Sequence, residues 1–312
     1  MLITGNYHYI RESYDAPFPS IFGVTPASFE NQLKQLKDIG KFVNQRELLE
    51  NTEYIIRSNE KFLLVTFDDG LKEQYEVAKP ILDRLNIEAI YFINSINHIE
   101  KRVSMVHQIQ LVRSVYAPKK IVDEVEKIGV KLTREEMIKA TKHYNYDSAE
   151  AAATKYLLNF KLNLGLRDQI VNQLFKSYFD EEKVLTELYM SNKQLKHLGE
   201  ELALGNHTHS HLGLGIYDYN IINEEVKKTK NFLEKSTNQE IKTISYPYGS
   251  KEACADPVSA IAQSTGHKVG FTMHRDIAKE EDSYLLLNRF DCNDLPGGKN
   301  ESLFRSISNI NN

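Results

Sequence analysis

Thr66-Phe67-Asp68-Asp69-Gly70 follows the apolar run Phe62-Leu63-Leu64-Val65, which reads as a buried strand of a mostly parallel sheet. Two adjacent carboxylates past the end of such a strand repel each other. Burial adds to that cost unless a cation or hydrogen-bond donors offset it. A distant segment offers the means: Gly205-Asn206-His207-Thr208-His209-Ser210-His211 places imidazoles at i, i+2 and i+4. A carboxylate with two histidines makes a divalent-metal set that leaves positions open for water. His207 and His211 have the spacing that brings two rings to one ion when the segment is helical or tightly turned, so His209 is expected to point elsewhere. Thr208 and Ser210 are expected to orient the rings. Neighbours on an extended backbone point apart, which divides Asp68 and Asp69 into one ligand and one acid/base group.

The rest of the chain supports a rim on which these groups meet. Thr25-Pro26 is an N-cap with Pro at the first helical position, and Phe29, Leu33 and Leu36 keep helical spacing until Gly40. Leu71 to Leu85 reads as a helix carrying Val77, Ile81 and Leu85, and Ile87 to Ile93 as the next buried strand, giving a βαβ unit. From 101 to 198 strand signals vanish. Thr133 with Glu136 and Ser191 with Gln194 fit capping boxes. Ile170, Leu174 and Tyr178 form one apolar row, with Val171, Phe175 and Phe179 beside it. This block is expected to be a helical insertion in a single domain spanning 1–312. Strand signals resume at Leu202 to Leu204, Ile241 to Tyr246, Lys268 to Met273 and Tyr284 to Phe290, and the polar tail Ser306 to Asn312 is expected to fray. The acidic pair, the His cluster and Tyr246-Pro247-Tyr248-Gly249 each come after a strand-like run. The C-terminal ends of parallel strands share one rim, so the three polar groups should converge.

Composition narrows the function classes. With 312 residues, 41% hydrophobic content and a formal charge of −4, the chain has ample sequence for a core and little of the positive charge that nucleic-acid binding requires. No stretch is apolar for long enough to span a bilayer. The start, Met1-Leu2-Ile3-Thr4-Gly5, has no secretory-signal pattern, and a cytoplasmic location is expected. Cys254 and Cys292 make no disulfide framework.

Thr-Phe-Asp-Asp-Gly together with His-Thr-x-x-His resembles the polysaccharide deacetylase family, carbohydrate esterase family 4. The resemblance implies an α/β fold, an irregular (β/α) barrel, and removal of acetyl groups from glycans with one divalent metal, usually zinc. Cobalt or nickel would also suit these N/O ligands. It implies Asp68 as catalytic base and Asp69, His207 and His211 as metal ligands. The backbone N–H of Tyr248 is implied as donor to the tetrahedral oxyanion. Tyr7-His8-Tyr9 and Phe29 with its leucines also resemble sugar deacetylases of surface-glycan pathways, as does the Tyr-Pro-Tyr-Gly form of the third motif. Two departures stand out. Ser245 occupies the place where many members carry an Arg that pairs with the base. Leu287-Asn288-Arg289 stands where the family has Leu-x-His, whose His is the general acid. Arginine stays protonated, so Arg289 is expected to stabilise the developing anion or to grip an acidic sugar. Leaving-group protonation then falls to Asp68 or to a rim histidine such as His274, His107 or His8. The expected function is metal-dependent N-deacetylation of a sugar in a surface polysaccharide or its precursor. A glycan-binding protein without catalysis and a hydrolase of a non-sugar amide or imide are the alternatives.

Overall fold

The computed structural model describes residues 1–13, 23–144 and 147–307. Its strands are β1 (Leu2–Tyr7), β2 (Tyr9–Ile10), β3 (Gly23–Val24), β4 (Lys41–Phe42), β5 (Phe62–Phe67), β6 (Ala89–Ile93), β7 (Leu204–Asn206), β8 (Thr243–Ser245), β9 (Val269–Phe271) and β10 (Phe290–Asp291). β2 and β3 pair with each other. The others form one sheet in the order β10-β1-β5-β6-β7-β8-β9, with β4 beside the start of β5 and neighbouring strands parallel. This sheet curls into a half-barrel flanked by helices.

β1, β5 and β6 are buried along their whole length, as strands covered on both faces must be. Side-chain alternation then sorts the residues. Ile3, Tyr7, Leu63, Val65, Phe67, Tyr91 and Ile93 pack outward with Phe29, Leu33 and Leu36 of the helix Pro26–Lys37. Leu2, Leu64, Ile90 and Phe92 face inward and meet Phe271 and Leu287 from the other end of the sheet. Asn6, Thr66 and Asp68 continue the inward rows. An isolated parallel bridge between Phe271 and Leu287, and the pairing of β10 with β1, draw residues 287–291 between the sheet's two ends.

Gly205 shows how closely the strands approach. A Cβ there would lie 2.4 Å from the Phe92 ring and 2.8 Å from Thr243 Oγ1. Gly205→Ala is expected to destabilise the fold by about 1–3 kcal/mol, as overpacking does. Thermal unfolding of the variant beside the parent checks this.

Several sequence expectations differ from the observed structure. Tyr284 to Phe290 is not a continuous strand: it crosses the open side of the sheet, the Tyr284 carbonyl accepts Gly270 N–H, Leu287 bridges Phe271, and regular pairing resumes only from Phe290. The segment after the carboxylates enters a π-helix, Gln74–Ala78, before the α-helix Lys79–Leu85. The chain divides into two compact units, the second including the helical stretch Val103–Val184 and the sheet's unit resuming at Leu185. In the helical unit, Thr133 and Glu136 form their capping box at the helix Arg134–His143. Ile170, Val171, Leu174 and Phe175 of the helix Leu164–Tyr178 are buried, whereas Tyr178, expected in the same row, is 62% exposed at the helix end. Ser191 and Gln194 cap the helix Asn192–Glu200 of the sheet's unit. Of the tail expected to fray, Ser306 belongs to the helix Glu301–Ile307 and 308–312 lie outside the described residues. Among the described residues no helix is long and apolar enough to cross a membrane.

Candidate active site

Asp68 and Asp69 part at the end of β5 because Asp69 adopts φ 77° and Gly70 φ 64°. Gln74 fixes this turn, accepting from Leu71 N–H while its amide donates to the carbonyls of Asp68 at 2.6 Å and His8 at 3.0 Å. The turn sends Asp68 into the barrel and Asp69 towards the histidines.

Asp69 Oδ1 lies 3.5 Å from His207 Nε2 and 3.3 Å from His211 Nε2, and all three residues are buried. Their ligand atoms fall within 4.8 Å of one another. These O···N separations exceed the usual hydrogen-bond range of roughly 2.7–3.2 Å. Bonds of about 2.0–2.1 Å to one tetrahedral ion would set the ligand atoms roughly 3.3 Å apart. His207 Nδ1 donates to the carbonyl of Ser245 at 2.8 Å, which leaves the Nε2 lone pair for an ion. Burial pushes the His207 imidazole down, but the carboxylates of Asp68 and Asp69 outweigh it and raise its pKa. The donor set fits one divalent cation with N/O ligation.

The segment joining the two histidines is turned, not helical. It passes through the left-handed region at Thr208 (φ 63°) and His211 (φ 61°), conformations that non-glycine residues hold only when their surroundings impose them. Asn94 donates to the carbonyls of His207 and Thr208, and Asn206 Oδ1 accepts Thr208 N–H at 2.8 Å. His209 turns away, its Nδ1 2.7 Å from Ser95 Oγ and its Nε2 2.8 Å from Glu100 Oε1. Thr208 and Ser210, expected to orient the rings, make no direct bond to either imidazole among the described residues. Thr208 Oγ1 finds no partner among the described residues, and Ser210 bonds Glu225.

The largest difference concerns Arg289. Expected at the substrate, it is fully buried behind Asp68, on the inward face between Phe92 and Phe271, with Cζ 5.9 Å from each ring centroid. Nη1 donates to Asp68 Oδ1 at 3.0 Å and Nη2 to Asp68 Oδ2 at 2.8 Å, a bidentate pair. Nε reaches the Thr272 carbonyl at 3.0 Å, Nη1 also bonds Asn6 Oδ1 and Thr66 Oγ1, and Nη2 bonds Ser245 Oγ at 2.8 Å. With its donors committed and no surface, Arg289 has nothing left with which to grip a sugar. It holds the carboxylate that an Arg at position 245 holds in the resembled pattern, and the small Ser245 leaves room for it. Asn6 Nδ2 adds a third bond to Asp68 at 3.0 Å. Burial alone would raise the Asp68 carboxyl; Arg289, with His207 behind it, reverses this and holds it well below the usual carboxylate range. Asn6 is not singled out by any sequence motif, although its place at the end of an inward row of β1 was the available signal.

Tyr248 is 55% exposed at φ 63°, its ring edge-on to His211 with centroids 5.0 Å apart. Among the three histidines named for the proton donor, His8 comes to 3.9 Å from Asp69 Oδ2. His274 is exposed after β9, and His107 is buried in the helical unit beside Ser104.

A sequence profile described as polysaccharide deacetylase matches residues 56–270, more than half of the chain. The chain belongs to the polysaccharide deacetylase family. Among solved structures of deacetylases, it is similar to PplD of Streptococcus pyogenes, determined in complex with acetate (19% identity, TM-score 0.57, covering 98% of this chain and 96% of that one). A de-N-acetylase from Aggregatibacter actinomycetemcomitans gives 14% identity and TM-score 0.57, covering 97% and 99%. IcaB from Ammonifex degensii gives 17% and 0.53, covering 93% and 90%. At these identities the structures establish a shared fold. No curated protein matches the sequence.

Proposed function

We propose that this deacetylase removes the N-acetyl group from a sugar unit of a surface polysaccharide or its precursor, with a divalent cation held by Asp69, His207 and His211. The observation that carries the reading is the placement of an ionised, bidentately held Asp68 next to that buried donor set. A deacetylase complex with acetate and a de-N-acetylase among the similar folds favour an acetamide substrate.

When bound, the cation would polarise the acetamide carbonyl and lower the pKa of the attacking water. Asp68 accepts the proton of that water. Arg289 and Asn6 keep its carboxylate aimed and ionised, so the proton is taken without first dismantling a hydrogen-bonded neutral acid. Tyr248 N–H donates to the oxyanion of the tetrahedral intermediate, a contribution on the order of 3 kcal/mol for a well-aimed donor. Asp68 then returns its proton to the departing amine nitrogen. A carboxylic acid held far below its ordinary pKa gives up a proton readily, which suits this second step. Acetate and a free amine leave.

Acetate release from N-acetylated oligosaccharides, measured after metal stripping and after reloading, tests the reading. Release is expected only from the reloaded protein. In Asp68→Asn, kcat should fall by about 10²–10⁴ with metal still bound. His8→Ala should keep substantial rate. Complete loss of activity in His8→Ala with metal retained would transfer the proton-donor role to that histidine.

A further inference from the structure

Glu225 is a buried carboxylate that the proposed mechanism does not use, 7% exposed on the helix Tyr219–Thr237. Both of its oxygens go to one residue: Oε2 accepts Ser210 N–H at 2.8 Å, and Oε1 accepts the Ser210 hydroxyl. Ser210 directly precedes the ligand His211. One helical turn further on, Thr229 meets Ser95 at 2.7 Å, and Ser95 in turn meets His209 at 2.7 Å. Between these points the carbonyl of Val226 accepts Asn206 Nδ2 at 2.9 Å. One face of one helix thus holds the His207–His211 turn before, within and just ahead of its second ligand. Residues i and i+4 on a helix are neighbours on one face, so Glu225 and Thr229 act on the turn together.

Stability alone gives little reason for a carboxylate here, since a buried charge costs more than a neutral acceptor. The turn does give a reason. His211 sits at φ 61°, and relaxation of its backbone towards φ below zero would swing its imidazole away from His207. A two-armed acceptor gripping the backbone N–H and the side chain of Ser210 fixes the residue that leads into His211, so that the turn cannot shift as a unit to accommodate such a relaxation.

We infer that Glu225 is a positioning residue for the metal site, clamping Ser210 so that His211 stays turned towards His207 and Asp69. The inference rests on the reading of those three residues as a metal set, and the experiment separates the two.

Zinc affinity of the full chain is measured by chelator competition, and the visible spectrum of the cobalt-loaded form is recorded, for the wild type, Glu225→Gln, Glu225→Met and Ser210→Ala. Glu225→Met, similar in size but without acceptors, is expected to bind zinc about 10–100-fold more weakly and to alter the cobalt spectrum, the range seen when partners that orient ligands are removed. Glu225→Gln can accept the N–H through its carbonyl and meet the hydroxyl with its amide, so it should stay within about threefold of the wild type. Ser210→Ala deletes one arm and should fall between them. Should Glu225→Met not fold, Ser210→Ala decides. Wild-type affinity and an unchanged cobalt spectrum in the folded variants would overturn the inference, as would equal losses in Gln and Met. A wild type that binds no zinc would instead overturn the metal reading.

Discussion

Asp69→Asn is expected to leave a folded protein that no longer holds a divalent cation and releases acetate at background rate. Asp69 supplies the anionic oxygen that His207 Nε2 and His211 Nε2 face at 3.5 and 3.3 Å. An amide of the same shape keeps the packing and removes the charge, leaving two neutral imidazoles and a weak carbonyl donor. Losing a ligand should cost more than the roughly 10–100-fold in affinity that results from loss of a residue orienting one. Losing the Lewis acid removes several kcal/mol of transition-state stabilisation, or at least about 10³-fold in rate. Metal-free stability should move far less, because the substitution also relieves the repulsion of two adjacent buried carboxylates. Thermal unfolding with and without zinc separates the effects. At zinc about 100 times its Kd, wild-type stability should rise by about 2.7 kcal/mol, and the variant should show no rise. Wild-type zinc affinity in Asp69→Asn would remove the donor set from the mechanism.

The parts of the site that could be read in the sequence are those governed by local rules. Phe62 to Phe67 is apolar enough to be a doubly covered strand, so Asp68 and Asp69 had to emerge at a strand's C-terminal end, and the same logic holds for the residues after Asn206 and Ser245. Extended backbone separates adjacent side chains, which made the divergence of Asp68 and Asp69 foreseeable, and φ 77° at Asp69 is the backbone turn by which it occurs. The partner of Asp68 was not legible. Arg289 lies 221 residues away and arrives through a short, irregular stretch that crosses between the sheet's ends. Leu285-Leu286-Leu287 carries the apolar character of a strand but bridges Phe271 only at Leu287, because burial of Leu285 and Leu287 asks for apolar side chains whatever the backbone does. The resemblance therefore put Arg289 at the substrate, whereas in the structure the inward row of Asn6, Thr66 and Asp68 forms the polar pocket that receives its guanidinium. Glu225 was hidden for a related reason. On an amphipathic helix one buried glutamate looks like any other charge until the loop it grips is in place.

Removing Arg289 should be damaging in two ways at once, to stability and to rate, with an effect that depends on pH in a defined direction. In the wild type the Asp68 carboxyl is held below its ordinary range, so its contribution to stability is present above the unfolded carboxyl pKa near 4 and is lost as pH falls through the lower folded value. In Arg289→Met the burial that raises this carboxyl goes unopposed by the guanidinium. The folded pKa then exceeds the unfolded one, and stability is lost as pH climbs above about 4. The stability gap between wild type and variant should therefore widen from pH 4 to pH 7, reaching about 3–5 kcal/mol, the cost of leaving one buried partner alone. Activity should fall by about 10³-fold at pH 7, and the acid limb of kcat/KM should move upward, because Asp68 is now protonated where it must accept a proton. A gap that stays constant with pH would mean that Arg289 only fills space. The contact between Arg289 Nη2 and Ser245 Oγ at 2.8 Å supplies a sharper test. Ser245→Arg should be harmful alone because two guanidinium groups compete for one pocket, and Arg289→His because Asp68 loses its bidentate partner. Combined, they return an Arg to position 245 and open the space it needs. The double variant should exceed the activity of either single one, a coupling that independent sites would not show. Additive losses in that cycle would mean that the two positions do not share the task of holding the base.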